Sequence, residues 1–571
     1  MNKNAEPQSA RPRSTSARTD RRQRVWYSLI SSILGKRMVT PPKFKLRVEV
    51  EPGPKPSIAR LATARTAFVG RTLRGPVGRA LLVKSFAEFQ QTFGGLWQPA
   101  PLGYAVEQFF DNGGREVLIV RVVNGARAAS LNLSAGDSFL NLEALRPGKA
   151  EFLRASVDYD AIPPSDTKHF NLTIQRVRAQ GTSQVDDQEI FRRVSMLPGS
   201  DTYLATAIGT SQLVKFTGAL PRCRPDRTVN PSSGVAHAYV QSNSDGDDGA
   251  PLCDYDVIGS EVEGTGIFAL SGVDYFNFLC IPPLSRDKDP GLPVLLVAER
   301  YCALRRALLI VDPPAHWHTA DDALRGLKTW QLTSENALMY FPRILAQDKL
   351  RGQVEAFAPC GAVAGMLARS DEIFPLWDPK RNDEAVPRPG YRPTCVVSDE
   401  RRDKLTRMGV NTIQAVRSAV RSGTIPRTFA AGRAVSADWQ YLSARRLALF
   451  IVNCIERGTR WAANAPAHSE IGGLLAQRVR VFFEGLYVAG AFGTRRVDDA
   501  YFVVVDERAN AQGSSAAQFQ FLIGFAAAHG SGLHSFRITH GPNGTQVQTV
   551  STNRLNLAAH SPAELDWVER G

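Results

Sequence analysis

The chain has 571 residues, 43% of them hydrophobic, which allows several domains with buried cores and excludes an intrinsically disordered protein. The formal net charge is +14, but residues 1–40 hold nine Lys/Arg against two Asp/Glu, so half of the excess belongs to this segment. The seven cysteines are scattered, with no CxxC pair and no metal-ligand spacing, which favours a reduced, cytosolic compartment.

Residues 1–40 are polar and rich in Ser and Arg, and we predict a disordered basic tail. Their apolar run, Val25–Leu34, is too short to span a bilayer, so we expect no stable membrane insertion. The pair Arg21-Arg22 resembles part of a twin-arginine export signal, but no A-x-A cleavage site follows it. One alternative is that translation starts at Met38, and another is that the tail contacts nucleic acid or an acidic partner.

Residues 43–51, KFKLRVEVE, alternate strictly between apolar and charged side chains, as in a β-strand with one buried face. Prolines on both sides separate this stretch from its surroundings, so its partner strand lies far away in the sequence or in another chain. We predict that residues 41–65 form an N-terminal arm, and the alternative is an edge strand of the same domain. The apolar positions of the predicted arm strand are Phe44, Leu46, Val48 and Val50.

The next two sections of the chain differ in character. Residues 66–125 begin with an apolar strand, a Gly/Pro turn and a second strand. A helix follows, and Ser85 and Glu88 are predicted to form a capping box at its start. A second helix then leads to a buried strand. Residues 126–261 have short β-like runs between polar Gly/Ser/Asp loops, and they predict an inserted β-rich domain of unknown role.

From residue 264 on, apolar runs recur about every thirty residues and alternate with helical stretches, which is the spacing of βαβ units. Residues 435–507 then predict a buried helix, a loop, an amphipathic helix and the short apolar strand Tyr501–Val505. Three further strands with glycine turns follow. The predicted fold class is α/β (α+β), a mixed β-sheet flanked by helices, with a β-rich insertion and extended terminal arms.

Two groups of residues are candidates for a catalytic or metal-binding site. Cys360 precedes Gly361 at a predicted helix start, where a thiolate would be stabilised, and Asp312 ends a predicted strand, where α/β enzymes place their sites. His316 and His318 could bind a metal, but no third ligand has a diagnostic spacing and no base accompanies the cysteine. We therefore expect no catalytic residue, metal or cofactor, and an α/β enzyme with a site near Asp312 and Cys360 is the first alternative.

The charge distribution outside the tail bears on nucleic-acid binding. Lys/Arg and Asp/Glu are interleaved there, without an aromatic stacking series, so we expect no nucleic-acid partner. A basic nucleic-acid-binding scaffold is the second alternative.

Several motifs lie in the same order as in a known family. They are AFVGRTLRGP at 67–76, FFDNGG at 109–114, LIVDPP at 309–314, SADWQYLSARRL at 436–447 and GTRW at 458–461. In the residues of these motifs and in their order, the chain resembles the contractile tail sheath proteins of phage tails, tailocins and extracellular contractile injection systems. The resemblance covers residues 66–123 and 264 to about 554. The sheath-core motif falls on Trp439, Arg445, Arg446 and Trp461.

The resemblance implies a structural subunit and not an enzyme. It implies a discontinuous sheath core, residues 66–125 and 262–545, with an outer domain at 126–261 and a C-terminal arm at 546–571. Such subunits polymerise as stacked hexameric rings around an inner tube and contract to drive the tube through a target cell envelope. In the family, terminal arms add strands to a neighbour's sheet, which suits the strand at Phe44–Val50.

The resemblance also implies partners and a location. The partners are further copies of the chain, the inner tube protein, the baseplate and tail-terminator or cap proteins. Assembly takes place in the bacterial cytoplasm, and the product is a phage tail or phage tail-like particle, virion or extracellular.

Overall fold

The computed structural model lets the fold be followed through most of residues 58–550. The predicted basic tail and the predicted arm strand with Phe44, Leu46, Val48 and Val50 lie outside the described residues. So do residues 551–571 of the predicted C-terminal arm. The described residues are 58–228, 238–242, 246–330, 332–378, 386–415, 425–430, 439–464, 469–493, 496–505, 519–527, 533–541 and 544–550.

The helices and strands of the described part are numbered in chain order. The helices are α1 Phe86–Phe93, α2 Leu102–Asp111, α3 Leu204–Ile208, α4 Asp254–Ile258, α5 Leu292–Arg305, α6 Ala320–Thr329, α7 Cys360–Ile373, α8 Asp399–Arg407, α9 Leu442–Thr459, α10 Ser469–Val488 and α11 Val497–Ala500, with 3₁₀ helices at Gly266–Gly272 and Arg460–Asn464. The strands are β1 Thr66–Gly70, β2 Ala80–Val83, β3 Val117–Arg121, β4 Ala128–Ala135, β5 Ser138–Pro147, β6 Phe152–Asp158, β7 His169–Val177, β8 Val185–Ser195, β9 Val214–Phe216, β10 Val240–Gln241, β11 Phe278–Cys280, β12 Leu308–Val311, β13 Ala337–Phe341, β14 Ile344–Asp348, β15 Gln353–Phe357, β16 Arg392–Pro393, β17 Val410–Thr412, β18 Tyr501–Val505, β19 Phe519–Ala526, β20 Leu533–Gly541 and β21 Gly544–Val550.

The central sheet has seven strands in the order β17-β13-β12-β11-β1-β3-β2. Its strands pair in parallel except β2, which runs antiparallel to β3 at one edge. The strands β11, β12 and β13 lie at the apolar runs whose spacing predicts βαβ units. The predicted mixed sheet flanked by helices is therefore confirmed.

Helices cover both faces of this sheet. One face packs against α5, α6 and the first 3₁₀ helix, and the other packs against α1, α2 and α7. Every residue of β1 and β3 is buried. Strands enclosed on both faces need apolar side chains at successive positions, which explains the unbroken sequences TAFVG and VLIV.

The helices α7 and α2 cross at backbone contact distance. A Cβ atom at Gly361 would lie 1.9 Å from the carbonyl oxygen of Ala105, and one at Gly365 would lie 2.4 Å from the carbonyl oxygen of Phe109. Only glycine lets two helix backbones approach this closely. The G-x-x-x-G pattern of α7 therefore serves helix packing.

Between β3 and β11 the chain forms a β-rich region. Two antiparallel sheets, β10-β6-β7-β8 and β4-β5-β9, share one hydrophobic core. The two ends of the region meet, because the amide of Ala250 donates to the carbonyl oxygen of Asn124 (2.9 Å) and Asn124 Nδ2 donates to the carbonyl oxygen of Pro251 (3.1 Å). Beneath this point β1 pairs with β3 on one side and β11 on the other, so the central sheet closes across the insertion.

The C-terminal part combines two helices with a second sheet. The helices α9 and α10 pack on one core with a four-stranded antiparallel sheet in the order β18-β19-β20-β21. Residues 546–550 of the predicted C-terminal arm belong to β21 and pair with β20 of the same chain. A small sheet, β15-β14-β16, follows β13. Among the described helices, none combines the length and the apolar character needed to cross a membrane.

Candidate assembly interface

The strand β18 has one face turned to the helices. The ring of Tyr501 stacks on Phe483 of α10 at a centroid distance of 5.1 Å, and Val503 is buried. The ring of Phe502 lies on the opposite face, where a Cβ atom at Gly524 would come within 2.0 Å of it. A glycine in β19 thus leaves room for an aromatic ring to cover the strand.

β18 also forms an edge of the C-terminal sheet. It pairs with β19 along its length, and no described strand pairs with its other side, which we call the open edge. Three of its five residues are valine, a β-branched residue that favours strands. An edge of this kind presents a row of backbone N–H and C=O groups to any strand that reaches it.

Trp439 and Arg445 of the predicted sheath-core motif contact each other at the start of α9. The guanidinium carbon of Arg445 lies 5.0 Å from the centre of the Trp439 ring, and that ring stacks on His534 of β20 at 4.0 Å. Arg445 Nη2 also pairs with Glu335 (2.9 Å) and donates to Asn336 Oδ1 (2.6 Å). Burial lowers the pKa of Arg445, and the carboxylate of Glu335 opposes that shift. The pair joins the C-terminal sheet to the loop before β13.

Arg446 fixes residues 58–65, which we call the strap, against α7. Its Nη2 pairs with Asp371 Oδ2 at 2.6 Å and donates to the carbonyl oxygen of Thr63 at 3.2 Å. The Thr63 hydroxyl donates to the same carboxylate oxygen. The guanidinium also lies over the ring of Phe278 in β11, 5.0 Å from its centre. One buried arginine therefore joins the strap, α7 and the central sheet.

The strap continues along α9. The amide of Leu61 donates to Cys454 Sγ at 3.3 Å. Ile58 packs so closely on Gly458 that a Cβ atom there would lie 2.8 Å from its side chain. These contacts fix the path of the chain just after the predicted arm strand.

Trp461 lies at the other end of α9. Its Nε1 donates to the carbonyl oxygen of Gly458 (3.0 Å), and the guanidinium of Arg478 lies 4.8 Å from its ring. The 18 residues of α9 span about 27 Å, so Trp461 is remote from the Trp439–Arg445 pair. The predicted motif residues thus brace the two ends of one helix and do not form a single cluster.

No protein-family model matches the chain, and no curated protein matches its sequence. Among solved structures, a sheath tail protein from Listeria innocua matches with a TM-score of 0.55 and 12% sequence identity, over 84% of this chain and 96% of that chain. This chain has the sheath tail protein fold. The resemblance that the motifs predict is confirmed at the level of the fold.

Two further structures are similar over comparable lengths. The sheath complex of an extracellular contractile injection system in its contracted state matches with a TM-score of 0.48 and 14% identity, over 86% of this chain and 96% of that chain. A sheath tail protein from Desulfitobacterium hafniense matches with a TM-score of 0.46 and 10% identity, over 88% of this chain and 99% of that chain.

Within this sheath fold, Asp312 and Cys360 form a buried helix cap. The amide of Cys360, the first residue of α7, donates to Asp312 Oδ1 at 2.7 Å. Burial raises the pKa of the Cys360 thiol well above its usual value, and it raises the pKa of Asp312 to about 6. A nucleophilic cysteine needs a lowered pKa and access to solvent, and Cys360 has neither. The geometry therefore speaks against the α/β enzyme alternative at this position.

The two predicted metal candidates lie on the surface of the sheath fold. His316 and His318 are both exposed in the loop before α6. In the described part of the chain, no three His, Cys, Asp or Glu side chains are grouped closely enough to hold a metal ion.

The sequence does not identify the strap or the residues that bind the two motif arginines. Asp371 is 75 residues and Thr63 is 383 residues away from Arg446, so no local pattern connects them. The usable signal is the arginine pair inside an apolar helix, because a buried arginine requires a carboxylate partner. That signal predicts a partner without naming it.

Proposed function

We propose that this chain is a structural subunit of a contractile sheath. Copies of it polymerise as stacked hexameric rings around an inner tube, and contraction drives the tube through a target cell envelope. The observation that carries the proposal is the fold, whose likeness to the Listeria innocua sheath tail protein extends over 96% of that chain. A subunit of this kind acts through its interfaces.

The open edge of β18 supports the proposal. A strand from another copy can add to it by β-augmentation, in which each new backbone hydrogen bond contributes about 1 kcal/mol net. The predicted arm strand, Phe44–Val50, suits this role because its alternation places four apolar side chains on one face. The chain between Phe44 and the strap can span roughly 46 Å when extended, at about 3.3 Å per residue.

The buried ion pairs at the start of α9 also support the proposal. Arg445 and Arg446 join the C-terminal helices to the central sheet through Glu335 and Asp371. A subunit braced in this way moves as one body, while its terminal arms maintain the connections between neighbours. Contraction is then the release of a metastable extended lattice, and the stroke needs no nucleotide hydrolysis.

The remaining parts of the proposal concern partners and location. The inner tube protein, the baseplate and the tail-terminator or cap proteins contact the assembled sheath. Assembly takes place in the bacterial cytoplasm and yields a phage tail or an extracellular phage tail-like particle. These partners are assigned by the family resemblance of the motifs.

Negative-stain electron microscopy of the purified, overexpressed chain tests the proposal. Hollow striated tubes are the expected result. If the chain stays dispersed, the inner tube protein and the baseplate are added. Dispersed particles in their presence would contradict the proposal and favour the alternatives, of which a nucleic-acid-binding scaffold is recognised by strongly salt-dependent DNA binding.

A further inference from the structure

A cavity of about 400 Å³ lies between the loop at residues 271–275, the end of α5 and the last turns of α9. It opens at the amino end of β11, on the opposite side of the central sheet from Asp312. Of the residues that line it in the described part, one, Asp274, is acidic. We call it the arginine pocket, after the four arginines that line it, Arg305, Arg306, Arg457 and Arg460.

The carboxylates that contact these arginines do not balance them. Arg457 binds Asp274 through both the carboxylate and the carbonyl oxygen. Glu456, behind the cavity, is shared by Arg306 (3.4 Å) and Arg460 (2.9 Å). Arg305, the fourth arginine of the pocket, binds backbone carbonyl oxygens and a tyrosine hydroxyl. Four guanidinium groups therefore face two carboxylates, and two positive charges are in excess.

Burial, and after it the neighbouring positive charges, lower the pKa of two of these arginines. Burial lowers the pKa of Arg457 to about 10, and the charges of Arg460 and Arg65 add to the shift. Burial also lowers the pKa of Arg306, with Arg460 and Arg305 acting in the same direction. A concave surface with low-dielectric walls concentrates such a field and attracts anions from solution.

The pocket is both built and accessible. The Arg457 side chain is 13% exposed and forms part of the wall, while Arg460 is 52% exposed and stands at the rim. A guanidinium group presents a planar fork of N–H donors that matches carboxylate and phosphate oxygens. The volume exceeds what a single water or chloride ion needs and lies within the range of small-ligand sites.

We propose that the arginine pocket binds a multivalent oxyanion, carried either by a free phosphorylated small molecule or by acidic side chains of a second copy of this chain. Arg460 and Arg306 hold the oxygens, and Arg457 supplies charge from the wall. The site binds its ligand without changing any covalent bond. The binding site itself is a feature of the single chain, whereas a second copy as the source of the anion rests on the sheath proposal.

Isothermal titration of the purified full chain with sodium pyrophosphate, against sodium chloride at equal ionic strength, tests the site. The wild-type chain should bind one pyrophosphate per chain. The Arg460→Gln variant should bind at least about tenfold more weakly, because a lost charge-assisted hydrogen bond is worth roughly that factor. The matched control is Arg115→Gln, which also removes an exposed arginine paired with a glutamate but lies outside the pocket. It should bind as the wild type does.

A second arm distinguishes the sources of the anion. If acidic side chains of another copy fill the pocket, pyrophosphate shortens or prevents the tubes that the wild-type chain forms, and Arg460→Gln reproduces this without pyrophosphate. If a free anion is the ligand, tube length is unchanged by either. Both results support the site. Equal, non-saturable heats for the wild type, Arg460→Gln and Arg115→Gln would overturn it, and the sheath proposal would stand unaffected.

Discussion

The central sheet and the C-terminal sheet are both built from apolar strands, but they differ in what covers them. Helices enclose the central sheet on both faces, and its inner strands are buried along their whole length. The C-terminal sheet is covered by α9 and α10 on one face, and no strand in the described part of the chain pairs with the open edge of β18. The difference separates two tasks, since an enclosed sheet stabilises the subunit and an open one can accept a strand from outside.

The predicted arm strand gives the largest expected effect on this comparison. Deleting residues 43–51 should abolish long tubes and leave the subunit folded, because the open edge would lose its partner strand while both sheets keep their cores. Electron microscopy measures the tubes, and circular dichroism with thermal unfolding measures the fold. The control deletes residues 10–18, nine residues of the basic tail, and should retain tubes. Tubes of normal length from the first variant would disprove the arm assignment.

The ion pair between Arg446 and Asp371, which connects the two regions, has the second largest expected effect. Arg446→Met should lower the free energy of unfolding by about 3–5 kcal/mol, because it removes the positive charge that pairs with the nearly buried carboxylate of Asp371. Urea denaturation measures the change. Arg115→Met removes the partner of Glu372, the next residue of α7, but that pair is exposed and should cost about 1 kcal/mol or less. Equal losses in the two variants would show that Arg446 is not a structural brace.

A pair of glycines sharpens the contrast between enclosed and open packing. Gly361→Ala should destabilise the subunit by about 3 kcal/mol, since its Cβ would overlap the backbone of Ala105. Gly473→Ala in α10 has open space around the new methyl group and should stabilise by about 0.5–1 kcal/mol through helix propensity. Chemical denaturation of both variants measures these two changes in the free energy of unfolding. A stable Gly361→Ala chain would mean that α2 and α7 can separate without cost.

Lowering the pH should change the stability contributions of His540, in the C-terminal sheet, and Asp312, next to the central sheet, in opposite directions. Burial, together with the charge of Arg460, lowers the pKa of His540 in β20 to about 4. The unfolded chain takes up this proton near pH 6.5, so a fall in pH through this window destabilises the fold by up to about 3 kcal/mol. Asp312, next to β12, has a pKa raised to about 6. The folded state therefore binds this proton at a higher pH than the unfolded state does, so the same fall in pH stabilises the fold.

Unfolding in urea at pH 7 and pH 4.5 separates these two contributions. His540→Asn should lose less stability on acidification than the wild-type chain, because its unfolded state no longer gains a proton. Asp312→Asn should lose more, because its folded state no longer gains one. Parallel losses in all three chains would show that neither group is responsible for the pH dependence.

Much of the fold is predictable from local sequence pattern. The runs at β11, β12 and β13 are short and continuously apolar, and their spacing leaves room for one helix between each pair. The strands β18, β19 and β20 stand out for the same reason. Where the physics is local, one sequence is sufficient: Ser85 caps its helix as predicted, with its hydroxyl accepting from the amide of Glu88, although the Glu88 carboxylate accepts from the amide of Lys84 and not from that of Ser85.

The candidate interface is less predictable because it depends on contacts across the chain. Leu61 and Cys454 are 393 residues apart, and only the packing of the whole subunit brings the strap onto that turn of α9. Asp312 is placed correctly at a strand end by its sequence context. Its role as a helix cap is decided by the arrival of Cys360, 48 residues later. The same composition would suit a catalytic site if the helix began elsewhere.

The hydrogen bonds between Asn124 and residues 250–251 have a consequence for the evolution of this chain. The β-rich region leaves the subunit and returns to it at a single point, and β1, β3 and β11 pair beneath that point without its help. Whatever is inserted there can diverge, shrink or be replaced while the remaining architecture is inherited intact. A foreign domain grafted between these positions would be repeated once per copy in any polymer of the chain, which makes this junction a natural place for ordered multivalent display.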